Sequence, residues 1–226
     1  MGNGKWGMGN GKWEMGNGKW GMGNGFGRLG RRNEMETAGK IHVYTGDGKG
    51  KTTAAIGLAI RAVGAGKSVC IIQFMKSLAY SEQKVLQSLP GITLITVGKP
   101  FFIAKEGMLT EEEIKAWGDS LVVYPAGHPP KEYRDMVLGG IEKAIDAVQK
   151  YDLVILDEYN MASWYDLATD EDTKKILAAR KPSCELVFTG RNAPQILIDA
   201  ADLITEMKKI RHYYDDGLEA RKGIEN

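Results

Sequence analysis

The sequence predicts an α/β fold, a mostly parallel six-stranded sheet with helices on both faces. Three observations predict it. Short apolar runs rich in β-branched residues alternate with helical segments from Lys40 onward; the first run feeds a glycine-rich loop that opens a helix; and a later run ends in two carboxylates. Strands alternating with helices make βαβ units, whose strands run parallel and whose connections cover both faces of the sheet. Ligands of such sheets sit beyond the carboxyl ends of the strands.

Strands are expected at Ile41–Tyr44, Ser68–Phe74, Ile92–Val97, Leu153–Leu156, Glu185–Thr189 and Leu203–Met207, each bounded by turn or charged residues. Helices are expected between them at Lys51–Val63, Ser81–Ser88, Glu111–Trp117, Lys131–Gln149, Asp170–Ala179 and Ala193–Ala200. Thr110 followed by Glu113 forms a capping box that places one of these starts. From Pro100 to Pro130 the chain is loop-rich, with Gly107, Pro125, Gly127 and Pro129, and is a candidate lid.

Ahead of the fold the chain repeats with a seven-residue period, MGNGKWG, MGNGKWE, MGNGKWG and a decayed MGNGFGR. This is no coiled coil, because glycine costs about 1 kcal/mol at each helical position and every unit carries several. Residues 1–38 are therefore expected to be a disordered extension and 39–226 the folded domain. Trp6, Trp13 and Trp20 interleave with Lys5, Lys12 and Lys19, which makes either a weak strip for nucleic acid or a partner, or a repeat expansion with no role.

Lysine and arginine number 30 against 29 acids, a net charge of +1, and 43% of residues are hydrophobic. That balance predicts a real core and neither a nucleic-acid nor a membrane partner, so any anion is bound by a local device. No apolar run approaches the roughly 18 residues that span a bilayer, and the N-terminus lacks the apolar core of a signal peptide. A cytoplasmic protein is expected. Cys70 and Cys184 lie in separate apolar runs without neighbouring metal-ligand residues and are expected in the core.

The local device is HVYTGDGKGKTTAAIG, His42 to Gly57. Gly46, Gly48 and Gly50 permit the torsions that turn successive N–H groups inward, and the helix that follows adds its N-terminal dipole, so the loop suits phosphate. It is a P-loop. Gly46, Asp47, Gly48, Lys49, Gly50, Lys51, Thr52 and Thr53 are its ATP-binding candidates, with Lys51 reaching the phosphates and Thr52 holding Mg²⁺ through its hydroxyl. One position departs from the usual spacing: Thr45 stands where the first glycine is expected, and the glycine comes one later, at Gly46.

The second signal is DLVILDE, Asp152 to Glu158, an apolar strand ending in two carboxylates. Asp157 would bind Mg²⁺ directly or through water, and Glu158 is either a further metal ligand or, in a hydrolase, the base that activates water. Just past the fifth expected strand, Arg191 is placed for a phosphate or a polar group of a second substrate, or else for a salt bridge that anchors its turn. Lys76, at the end of the second strand, invites the same reading.

These blocks, TGDGKGKTTAAIGLAIRA, IIQFMKS, DLVILDEYN and FTGRNAPQILIDAADLITEMKKIRHYYDDGLEARKGIEN, occur in this order. Together they resemble the P-loop type of ATP:corrinoid adenosyltransferase over roughly Gly39 to Asn226. The resemblance implies a RecA-like P-loop fold and an enzyme of cobalamin biosynthesis that transfers the 5′-deoxyadenosyl group of ATP to the Co(I) of a reduced corrinoid. The cofactor is itself the nucleophile, so no protein nucleophile or general base is required. It further implies Mg²⁺, ATP bound with reversed polarity, Lys51 and Thr52 as catalytic residues, and Glu158 as a metal ligand with Thr52 and Asp157. An electron donor such as a reduced flavoprotein and a homodimer complete the expected partners.

Relatives carry a glycine–aromatic element after the third strand, where this chain has Gly98 and then Phe101 and Phe102. The two phenylalanines are the candidates for packing against the corrin, with ordinary core packing as the alternative. His212, Asp215, Asp216, Arg221 and Lys222 form a charged C-terminal segment similar to the family's. Two other readings stay open on the residues alone: a P-loop ATPase or kinase acting on the γ-phosphate, and a nucleotide-regulated binder working through its tryptophan repeats.

Overall fold

The computed structural model describes residues 6–9, 12–15, 38–77, 80–99 and 102–225. The chain divides into two units, Met1–Glu36 and Thr37–Asn226. In the first, β1 (Trp6–Gly9) and β2 (Lys12–Met15) pair antiparallel, with Trp6 opposite Met15 and Met8 opposite Trp13. These two strands fall within the expected extension, where an Asn-Gly dipeptide between short runs is a hairpin signal within each repeat. The rest of the expected extension lies outside the described residues.

In the second unit the six expected strands all form. They are β3 (Ile41–Thr45), β4 (Val69–Phe74), β5 (Ile92–Val97), β8 (Leu153–Asp157), β9 (Glu185–Thr189) and β10 (Leu203–Glu206). They make one sheet of order β10-β3-β9-β8-β4-β5 with every pairing parallel. This is the RecA-like P-loop architecture. Strand β9 lies between the strand that carries the loop and the strand that ends in Asp157, so residues ending β9 stand between the two motifs.

Continuous burial marks the sheet centre: every residue of β4 and of β8 is buried, as expected of parallel strands covered on both sides. Alternate side chains feed two apolar layers. Ile71, Ile155 and Val187 pack with Ala55, Ala59 and Ala62 of α1 (Lys51–Gly64) and Leu86 of α2 (Ser81–Ser88). Ile72, Leu156 and Phe188 pack on the opposite face with Val137, Ile141 and Ala144 of α4 (Lys131–Lys150) and Ile176 of α6 (Asp170–Ala179). Cys70 and Cys184 are buried thiols, as expected.

The stretch from Pro100 to Pro130 holds more structure than its glycines and prolines suggest. Strands β6 (Phe102–Lys105) and β7 (Leu121–Tyr124) pair parallel as a separate two-stranded sheet, and α3 (Glu111–Trp117) connects them, capped by Thr110 and Glu113 as the sequence predicts. Strands this short carry too few alternations to stand out in sequence. The pair is tied to the turn after α5 (Tyr159–Trp164): the Tyr124 hydroxyl donates to the Tyr165 carbonyl at 2.7 Å, and Lys105 pairs with Asp166 at 2.8 Å. The last helix, α7, runs Gln195–Ala200, later than expected because Pro194 precedes its first turn. Among the described residues no helix is long and apolar enough to cross a membrane.

Candidate active site

The P-loop joins β3 to α1, and its shape follows from what packs behind it. Strand β10 runs beside β3, and the chain leaving β10 lies directly against the loop. A Cβ on Gly46, whose φ is +97°, would fall 2.4 Å from the Met207 carbonyl oxygen. That explains the displaced glycine: Thr45 is still in β3, and the close approach occurs one residue later. The Gly48 N–H is already donated to that same carbonyl at 2.6 Å, so it is committed to the fold.

Helix α1 begins at Lys51 with no side-chain cap and no acidic residue in its first turn, which leaves its N-terminal dipole facing the cleft. Lys51 bends back over the loop and donates to the carbonyls of Gly46 and Gly48, both at 2.8 Å. Burial holds its ammonium below the ordinary lysine range.

Below Lys51 lies a polar knot. The Asp157 carboxylate, 1% exposed, receives the Thr52 hydroxyl at 2.8 Å and the Thr189 hydroxyl at 2.6 Å on one oxygen, and Lys76 at 2.9 Å and Gln73 at 3.0 Å on the other. Burial alone would push this carboxyl up; the Lys76 ammonium and the two hydroxyls outweigh it and hold it below the usual carboxylate range. Lys76 is likewise pressed down by burial and carried above its ordinary value chiefly by Asp157. Its backbone is held by Gly98, where a Cβ would meet the Lys76 carbonyl at 2.4 Å.

Glu158 stands apart. Burial and the neighbouring Asp157 charge raise its pKa, and among the described residues nothing hydrogen-bonds or ion-pairs its carboxylate. Its backbone is left-handed, φ 58°, with its N–H donated to Thr189 at 3.0 Å. Met75 (φ 60°) and Asn192 (φ 53°) share that conformation, so left-handed non-glycine residues follow the carboxyl ends of β4, β8 and β9. Such strain gathers where the surrounding fold holds functional groups in place.

A cleft of about 860 Å³ opens above these residues, lined by the loop from Asp47 to Thr53 and by Lys76, Glu158 and Arg191. Arg191 makes no ion pair among the described residues, so the anchoring salt bridge is not what it forms. Its turn is held instead by Asn160, fully buried, whose amide donates to the Gly190 carbonyl at 2.9 Å. A second cavity of about 550 Å³ adjoins the first. Met75, Phe102, Ile103, Tyr133 and Tyr165 give it an apolar lining, and Lys76, Tyr80, Glu158, Met161 and Glu225 border both spaces.

Phe102 is 57% exposed at the rim of the second cavity, its ring 4.7 Å from that of Trp117, and so is not a core residue. Phe101 lies outside the described residues. A family model described as ATP:corrinoid adenosyltransferase BtuR/CobO/CobP matches residues 37–226 of the chain. The chain belongs to that family. The corrinoid adenosyltransferase CobA of Salmonella typhimurium is 30% identical over 191 residues, covering 84% of this chain and 87% of the relative. A corrinoid adenosyltransferase from a Sinorhizobium species is 32% identical over 198 residues, with 85% and 82% covered.

In this adenosyltransferase the fold brings several further residues to the candidate site. Gln73 carries a signal as a polar side chain within the buried run of β4, and Thr189 carries one as the polar residue that ends the buried run 186–188. Tyr80, Met161 and Glu225 carry none that points to the cleft, because tertiary contact alone brings them there. Lys49 lines the cleft as part of the loop, and its ammonium reaches Tyr213 Oη at 2.9 Å, the Ile224 carbonyl at 3.1 Å and Glu225 at 2.8 Å. It faces the C-terminal segment.

Proposed function

We propose that this protein transfers the 5′-deoxyadenosyl group of ATP to the Co(I) of a reduced corrinoid. The cobalt electron pair forms the Co–C5′ bond, the C5′–O bond breaks, and the triphosphate leaves with those bonding electrons. The observation that supports this reading is the pair of adjoining cavities, one built on a phosphate-binding loop and the other apolar, which share a wall at Lys76, Tyr80 and Glu158. Two substrates held on either side of a common wall can meet without a protein nucleophile.

Lys51, the free start of α1 and Arg191 neutralise the leaving triphosphate. The oxygen donors suit a hard divalent cation. Mg²⁺ would be held by the Thr52 hydroxyl and the Glu158 carboxylate, which has no partner among the described residues, with Asp157 acting through Thr52, since its own oxygens already accept four protein donors. When bound, the ion adds positive charge beside the departing phosphates. Phe102, with Met75 and Tyr165, forms the apolar surface for the corrin. The reaction consumes Co(I), so an electron donor such as a reduced flavoprotein gives one electron to the Co(II) of the corrinoid beforehand; a cytoplasmic homodimer is the working form that the resemblance implies.

The test is an anaerobic incubation with MgATP and chemically reduced cobalamin, following the visible spectrum and the phosphate products together. A light-sensitive alkylcobalamin with stoichiometric triphosphate is expected. ADP and phosphate with unchanged corrinoid would overturn the reading.

A further inference from the structure

The C-terminal motif YDDGLEARKGIE does something definite in the fold. After β10 the chain crosses the P-loop twice. Its first pass gives the Lys209 N–H to Asp47 at 3.0 Å; its second, ending at Glu225, reaches Lys49. All three ammonium hydrogens of Lys49 have oxygen acceptors, and all three acceptors belong to Tyr213, Ile224 and Glu225. Lys49 therefore has no hydrogen left for a phosphate in this arrangement.

Glu225 is the centre of the contact. Besides Lys49 it accepts from the Tyr213 hydroxyl, from the Arg221 N–H at 2.7 Å and from the Arg221 guanidinium at 3.2 and 3.3 Å. The Tyr213 ring lies beneath both cations, 4.9 Å from the guanidinium and 5.7 Å from the ammonium. Arg221 and Lys222 lie exposed on the outer side. The inner side completes the site: His212, Gly223 and Ile224 line the P-loop cleft, Ala220 lines the apolar cavity, and Glu225 borders both.

We propose that Tyr213–Glu225 is a strap fastened to the P-loop through Lys49, and that Lys49 and Glu225 are positioning residues closing the wall common to the two substrate cavities. The meaning of the two cavities rests on the adenosyl-transfer reading; the fastening does not. In that reading the strap excludes water from the junction where Co(I) and C5′ meet, which protects a strongly reducing nucleophile from side reactions. Lys49 thus differs from Lys51: one holds the wall, the other the triphosphate.

The experiment compares Lys49→Ala, Lys49→Arg, Glu225→Gln and the Lys49→Ala/Glu225→Gln double variant in the full chain. Amide exchange over residues 213–225, read by mass spectrometry, is measured with MgATP binding and turnover. Loss of a charge-assisted contact should speed exchange about tenfold in either single variant, with no further gain in the double and with recovery in Lys49→Arg. The MgATP dissociation constant should stay within about twofold while turnover falls about tenfold and reduced corrinoid is lost without product. Two outcomes overturn the proposal. Unchanged exchange in both single variants removes the strap, whatever reaction the protein performs. Weaker MgATP binding in Lys49→Ala together with tighter binding in Glu225→Gln makes Lys49 a triphosphate ligand that Glu225 merely withholds. If instead the wild type yields ADP and phosphate, the reaction assignment fails while the exchange result still decides the strap.

Discussion

Replacing Lys76 by methionine tests the polar knot beneath the P-loop. The ammonium is 2.9 Å from Asp157, with side-chain exposures of 11% and 1%. Removing one partner of a buried pair costs about 3–5 kcal/mol, because the remaining charge stays desolvated. Thr52, Thr189 and Gln73 still donate to Asp157, which puts the expected loss at the low end, about 3 kcal/mol. At about 2–4 °C per kcal/mol for a chain of this size, Tm should fall by about 6–12 °C at pH 7.5. The pH dependence gives a second reading of the same contact. The Asp157 pKa is lowered in the fold, so its contribution is complete above the unfolded value and is lost as pH falls through the lower folded value. Without the cation the folded value rises, so the variant protonates first and its deficit narrows towards low pH. Thermal melts of both proteins between pH 7.5 and 4.5 measure this. A Tm drop below about 2 °C at pH 7.5, or a deficit that stays constant with pH, would refute the reasoning.

Glu158→Gln should lower turnover through cation affinity, and raised Mg²⁺ should restore part of it in an initial-rate titration; a loss that extra metal leaves untouched argues against the ligand role. Gly46→Ala places a methyl 2.4 Å from the Met207 carbonyl at a φ of +97°, so we expect about 2–4 kcal/mol of destabilisation and weaker MgATP binding by calorimetry. Burial pushes the Cys70 thiol up to about 12 and Cys184 up to about 11, from 9.0 for an ordinary thiol. Iodoacetamide at pH 8 should therefore spare both in the native protein and label both in denaturant. By linkage, their stabilising effect is complete below the unfolded value near 9 and is lost as pH rises through the folded values, so urea midpoints should fall across that alkaline range.

Much of the site was legible because it is local. Gly46 to Thr53 announce a phosphate loop by spacing, and Asp157 with Glu158 announce themselves by ending an apolar strand. What could not be read was the division of labour between those carboxylates. Both are acids at one strand end, yet Asp157 turns into a nest of donors from β4, β9 and α1 while Glu158, in a left-handed conformation, has no partner for its carboxylate among the described residues. That difference comes from strand order, which brings Gln73 and Thr189 to the two sides of β8. The same holds for Lys49 and Lys51, two residues apart in one motif and turned to different partners by a segment more than 160 residues away.

The sequence by itself determined the six-stranded parallel sheet, the phosphate loop and the acidic strand end, since each is written in contiguous runs whose periodicity or spacing acts within a few residues, and its ordered blocks carried the resemblance to the family. The tertiary structure decided which groups share a space. It set Phe102 at a cavity rim, left Arg191 without an ion pair among the described residues, and folded the C-terminal motif over the loop, because such contacts depend on packing between elements far apart in the chain, which no local pattern encodes.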